Sequence, residues 1–280
     1  MFALGWGWFK HVENYQHQSQ RQDAETIKDV QASQPVQPLV SPSASQSKDI
    51  SAEVAKPASE FSAMTLAPSD TTPRTSTVSE ALSLIDRGRT QEGVALLLRL
   101  ASLDPNNTEI LMELAMAYSL DLKDPAKARM ALEQIIEINP NYRAALNELE
   151  LVYGELGAYD QGLAFLDLKI QQNPNSLELQ FLYGRMLASS NPKASISWLK
   201  NATKIIDIRE NALNQLAIAA LKSGDIPLAT ESWAAALVLA EAALAQAVDK
   251  GEPGIDFLEE RIASTKLDLE KARKQSAKNL

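Results

Sequence analysis

From Thr77 to about residue 240 the apolar residues recur at the three- and four-residue spacing of helices that bury one stripe, and the stripes come in pairs. One frame reads Ala81, Leu84, Gly88, Gly93 and Leu97 and closes on Pro105. The next reads Leu114, Ala115, Tyr118, Ala128 and Leu132, closing on Pro140. The third reads Leu149, Tyr153, Gly157, Tyr159, Gly162 and Leu166, closing on Pro174. A fourth, Tyr183, Gly184, Leu187, Ala194 and Trp198, lacks the closing proline and is about two residues short in its turn. A fifth reads Leu216, Ala217, Ala220, Gly224, Ala229 and Trp233. The prolines lie 35 and 34 residues apart, inside Asp104-Pro105-Asn106-Asn107, Asn139-Pro140-Asn141-Tyr142 and Asn173-Pro174-Asn175-Ser176. Two short helices cannot bury their apolar stripes alone, so a beat of this length predicts hairpins stacked on their neighbours.

Turn and cap chemistry agrees. Thr77-Val78-Ser79-Glu80 reads as a capping box that opens the first helix. Asp124-Pro125 and Asn191-Pro192 each set an N-cap side chain before a proline suited to the first helical turn. Gly88, Gly157 and Gly224 fall where the hairpins must reverse. After the fifth unit the helical pattern runs on from Ala234 to Val248 and breaks at Gly251-Glu252-Pro253-Gly254. A last helix follows, from about Ile255 to Lys274, with Ile255, Leu258, Ile262 and Leu269 on one stripe and charge opposite, as a solvating cap requires. The pattern predicts an all-α chain: an α-solenoid of stacked hairpins over 77–250, with a C-terminal capping helix in 251–280.

Composition changes the picture upstream. Residues 10–76 are rich in Gln, Ser, Thr, Ala and Pro, and Gln31 to Ser47 holds only Val36, Leu39 and Val40 as large apolar side chains. Such a stretch does not offset the entropy of ordering, which predicts a disordered linker. As a flexible coil its root-mean-square span is on the order of 45 Å. Residues 1–9 are instead apolar and aromatic, with Phe2, Leu4, Trp6, Trp8 and Phe9 followed by Lys10 and His11. They fall far short of the roughly 20 residues a membrane-spanning helix needs, and no basic region precedes them as in a secretory signal. Tryptophan beside lysine suits a membrane–water interface. Three readings stand: an interfacial anchor, the end of a transmembrane helix whose start lies upstream of Met1, and an apolar tail with no membrane.

The formal net charge is −9, and −7 of it lies in residues 77–251. An acidic body argues against nucleic acid, whose binders present a basic face. The chain has no cysteine, hence no disulfide, thiolate metal site or thiol nucleophile. Its two histidines, His11 and His17, sit six residues apart in the glutamine-rich segment, a spacing that matches no helical metal pair. No histidine stands in the folded region to activate a serine, and no Gly-Lys-Ser/Thr phosphate loop occurs. Glu148 with Glu150 and Glu259 with Glu260 are carboxylates at spacings that point apart on a helix, and read as solvated faces. No catalytic residue, metal site, cofactor or small-molecule substrate is expected.

These residues together resemble the tetratricopeptide repeat family, in about five units over 77–240. The resemblance implies that small residues fill the places where the two helices of a hairpin cross, here Ala115, Gly162, Gly184, Ala194, Ala217 and Ala229. It also implies that the first helix of each hairpin lines a concave surface that holds a peptide or a partner helix. Carried over, that surface comprises Glu109, Met112, Met116 and Leu120, then Asn147, Glu148 and Leu151, then Glu178, Phe181 and Arg185, then Asn214, Gln215, Ile218 and Lys222. Met112, Met116, Leu151, Phe181 and Ile218 form an apolar strip on it. Asn147, Asn214 and Gln215 suit a peptide backbone, and Arg185 suits a carboxylate of the partner. Family members that hold a chaperone's C-terminal carboxylate use Lys, Asn and Arg at set places of the first helices; the matching places here hold Met112, Met116, Asn147, Leu151, Phe181, Arg185 and Asn214, so the basic clamp is missing. The expected function is a non-enzymatic adaptor for a protein partner. Its layout resembles envelope assembly factors of bacteria, tethered at a membrane with the repeats in the periplasm. The alternative is a soluble cytosolic chaperone or regulatory module for one client.

Overall fold

The structure, a computed structural model, describes residues 77–278. The segments expected to form an anchor and a linker, 1–9 and 10–76, lie outside the described residues. These are helical without strands and fall into two compact units, 77–212 and 213–278.

The first unit holds four hairpins. Helix α1 (Val78–Asp86) pairs with α2 (Thr90–Leu103), α3 (Thr108–Met116) with α4 (Pro125–Ile138), α5 (Arg143–Glu155) with α6 (Tyr159–Gln172), and α7 (Leu177–Ser190) with α8 (Pro192–Ala202). A 3-10 turn, Ile206–Ile208, leads into α9 (Arg209–Lys222), whose residues from Leu213 onward belong to the second unit with α10 (Ile226–Lys250) and α11 (Ile255–Lys278).

The register of the second helices explains the beat in the sequence. The fourth residue of each is small and buried: Gly93, Ala128, Gly162, Ser195 and Ala229. The eighth is large and buried: Leu97, Leu132, Leu166, Leu199 and Trp233. The small residue lets the first helix approach. A Cβ at Gly162 would lie 2.6 Å from Met186 Cε and 2.8 Å from Tyr153 Cδ2, inside any real contact. In the fourth hairpin these places fall on Ser195 and Leu199, one residue past the expected Ala194 and Trp198. Ala194 is exposed, and half-buried Trp198 meets Tyr183 edge-on with centroids 5.1 Å apart. The shift follows from the short turn: α7 ends at Ser190, and Asn191 both closes it and caps α8 by accepting from Ala194 N.

The other turns use a left-handed residue two places before the second helix: Gly88, Gly157 and Gly224, at φ +78°, +62° and +85°. In the second hairpin that place is Lys123, also left-handed at φ 53°. This hairpin carries the 35-residue interval, and Ala117–Asp121 winds as a π turn that takes up the extra residue. N-caps form as the side chains predict: Thr77 accepts from Glu80 N, Asp124 from Lys127 N and Asp225 from Leu228 N.

Polar ties join successive hairpins at their loops. Gln134 Nε2 donates to Pro105 O at 3.0 Å, and Ser176 Oγ to Asn141 Oδ1 at 2.6 Å. The second unit has its own core of Ile218, Leu221, Ile226, Ala229, Trp233, Leu269 and Ala272. Left-handed Gly251 (φ +63°) ends α10, and Lys266 Nζ meets Glu241 at 2.8 Å between α10 and α11. Among the described residues α10 alone is long and apolar enough to cross a membrane. Its Ala229 and Trp233 pack with α11 residues in this core.

Candidate functional site

Helical spacing puts every third or fourth residue of a first helix on one stripe. On α3 that stripe is Glu109, Met112, Glu113 and Met116; on α5 it is Arg143, Asn147, Glu150 and Leu151; on α7 it is Glu178, Phe181 and Arg185. The hairpin interval sets like positions of α5 and α7 side by side, and the structure joins them at two points. Arg143 Nη2 lies 3.8 Å from Glu178 and 3.7 Å from Asp207. Further along, Arg185 forms an ion pair with Glu150, Arg185 Nη1 donates to Asn147 Oδ1 at 3.4 Å, and the guanidinium lies 5.3 Å from the centre of the Phe181 ring.

Of the expected contact residues, the structure thus gathers Asn147, Phe181 and Arg185 into one cluster. Met112 and Phe181 are only 8% and 6% exposed and form the floor of the face. Met116, Asn147, Leu151 and Arg185 are half-buried on it. Asn214, Gln215 and Ile218 stand on α9 in the second unit, where Ile218, 7% exposed, is part of the core with Leu221 and Trp233. The aromatic residues Phe2, Trp6, Trp8 and Phe9, with Leu4, lie outside the described residues. Glu148 and Glu150 are not the solvated pair their spacing suggests: Glu148 is buried, and half-buried Glu150 holds Arg185. Glu150 was the partner missed from sequence. The signal was there, because Glu150 and Arg185, like Arg143 and Glu178, are opposite charges one repeat apart.

A second polar cluster lies between the hairpins. Glu133 on α4, 3% exposed, accepts from Tyr153 Oη at 2.5 Å and lies 3.5 Å from Arg129 Nη1. Lys169 on α6, equally buried, pairs with Glu137 on α4. Burial pushes the Glu133 carboxyl above the usual carboxylate range, against the pull of Tyr153 and Arg129. Burial, together with Glu133's charge, drives the Tyr153 hydroxyl far above its ordinary value. These groups clasp α4, α5 and α6. Among the described residues no group of His, Cys, Asp or Glu is placed to hold a metal ion.

No curated protein matches the chain. Residues 108–142, from α3 to the loop after α4, match the family model of the tetratricopeptide repeat. Solved structures similar to the chain include TTC0263, a thermophilic TPR protein of Thermus thermophilus. It is 22% identical, over 68% of this chain and 97% of that one, with a TM-score of 0.43. MamA from Desulfovibrio magneticus RS-1 is 18% identical over 59% and 93%, at 0.44. YrrB, described as a TPR protein with an unusual peptide-binding site, is 16% identical over 57% and 82%, at 0.40. The matched segment, α3 with α4, is similar to one tetratricopeptide repeat, and helical hairpins of the same register stand before and after it in the chain.

Proposed function

We propose that this chain is a non-enzymatic adaptor that holds a peptide or helix of a protein partner on the first-helix face of α3, α5 and α7. The observation that carries the reading is the stripe itself. Half-buried Met116, Asn147, Leu151 and Arg185 lie over the buried floor of Met112 and Phe181, with Arg185 fixed by Glu150 and Phe181. A face that is part apolar and rigidly ordered suits a partner's side chains better than open solvent. Asn214, Gln215 and Ile218 hold the like sequence positions of α9, the first helix of the fifth hairpin. Peptide binding by YrrB, as its description states, is in keeping with this use of the repeat. With neither histidine nor cysteine in 77–280, the face offers no ordinary nucleophile and base. In this reading Phe2, Leu4, Trp6, Trp8 and Phe9 tether the chain at a bacterial membrane, residues 10–76 give it reach, and the repeats work in the periplasm as an assembly factor of an envelope complex.

One experiment tests both halves. A photo-crosslinking residue is placed at 116 or 151 of the full chain in cells, with a control at Leu168, an exposed position on the second helix α6. The expected result is a discrete adduct from 116 and 151 but not from 168, sedimenting with membranes. Adducts from 168 alone overturn the face. Adducts from 116 and 151 in the soluble fraction keep the face, overturn the tether, and leave a soluble binding module.

A further inference from the structure

The next step rests on this use of the first-helix face and concerns the chemistry of what lies on it. On α3, Glu109 and Glu113 stand four residues apart, interleaved with Met112 and Met116 on one stripe. Like charges at this spacing oppose the helix that carries them. The first turn of α3, where the helix end favours an acid, accounts for Glu109. It does not account for Glu113, one turn further in and half-buried. Burial, together with the charge of Glu109, pushes the Glu113 carboxyl above its usual range.

The face supplies no cation to relieve this. Arg143 is engaged by Glu178 and Asp207, and Arg185 by Glu150. Among the described residues neither Glu109 nor Glu113 has an ion-pair partner. A local rule is broken here with no internal compensation, beside a half-buried methionine whose flexible thioether adapts to varied surfaces. Charge complementarity then fixes the kind of partner. We infer that the α3 face takes a basic amphipathic segment of a partner protein, its Lys or Arg side chains on Glu109 and Glu113 and its apolar side chains against Met116.

The test uses three synthetic helical peptides with one leucine pattern and with Lys, Glu or Gln at every polar position, titrated by fluorescence anisotropy against the full chain at physiological salt. The Lys peptide is expected to bind best. Glu109→Gln with Glu113→Gln should weaken it about fivefold or more, and Glu109→Lys with Glu113→Lys should pass the preference to the Glu peptide. Glu259→Gln with Glu260→Gln, removing two exposed carboxylates of α11, should change little, which separates this face from attraction to an acidic chain at large. Equal binding of the Lys and Glu peptides, or indifference of the Lys peptide to the paired Gln variant, overturns the inference. If the Gln peptide binds best and Leu151→Arg abolishes that binding, the face survives as a binding surface and only its preference for a basic segment falls. If no peptide loses affinity in Leu151→Arg, the face itself is refuted.

Discussion

Lys123 stands at φ 53° in a place that three other hairpins give to glycine, and it shows what a single residue contributes to the repeat. A left-handed conformation brings a side chain's Cβ toward its own carbonyl and costs an L residue roughly 1–2 kcal/mol, part of which glycine gives back through its looser unfolded chain. Lys123→Gly is therefore expected to stabilise the protein by about 0.5–1 kcal/mol. Urea unfolding of the two forms is the check, and a variant less stable than the parent would mean that the π turn, not Lys123, absorbs the strain. Gly162 is the opposite case. It is held by contact rather than by φ, since Met186 and Tyr153 leave no room for a Cβ. The frame of small residues in the sequence was legible because each is set by that close approach. It slipped by one at Ser195 and Leu199 because the preceding turn is short, and a shared Asn191 cap cannot be read from apolar spacing.

Between elements the sequence was less legible. Periodicity places a residue on a stripe, but not what the neighbouring stripe brings to it. Phe181 and Ile218, read as part of an apolar strip, are 6% and 7% exposed, and Glu148, read as solvated, is buried. The Glu133 clasp was invisible for the same reason, because Tyr153 and Lys169 come from two other helices. Its energetics follow from the raised carboxyl. In the folded chain Glu133 holds its proton to a higher pH than in the unfolded chain. The stability this contributes is fully present below the unfolded value and is lost as pH rises through the folded one. At pH 7 the buried charge is thus a cost. Glu133→Gln removes it while keeping an oxygen for the Tyr153 hydroxyl, and should match or exceed the parent in stability at pH 7. That advantage should shrink as pH falls to 5. Glu133→Ala, which leaves the hydroxyl buried without an acceptor, should cost about 1–3 kcal/mol at either pH. Thermal unfolding at the two pH values decides it. A Gln variant that loses as much as Ala at pH 7 would mean that the ion pair with Arg129 outweighs burial.

At the scale of the molecule, the described chain holds two cores with separate memberships. Leu97, Leu132, Leu149 and Leu166 anchor one, and Trp233, Ile218 and Leu269 the other. Stability in stacked repeats is close to a sum of each unit's own term and its nearest-neighbour terms, so damage should stay near where it is made. Trp233 is the place to inflict it, since it occupies the eighth position of α10, is 2% exposed and packs in one core with Leu269 and Ala272. Trp233→Ala removes the largest buried side chain of that core and should cost about 3–5 kcal/mol. Hydrogen exchange should then show α10 and α11 losing protection by orders of magnitude, while the amides of α3 to α6 keep theirs. Trp198, which packs against the first core, gives a second readout, because its fluorescence should follow the unaltered transition. Equal loss of protection from 77 to 278, with one shared unfolding midpoint, would instead make the two cores a single cooperative body and would carry any change at α11 to the candidate face on α3.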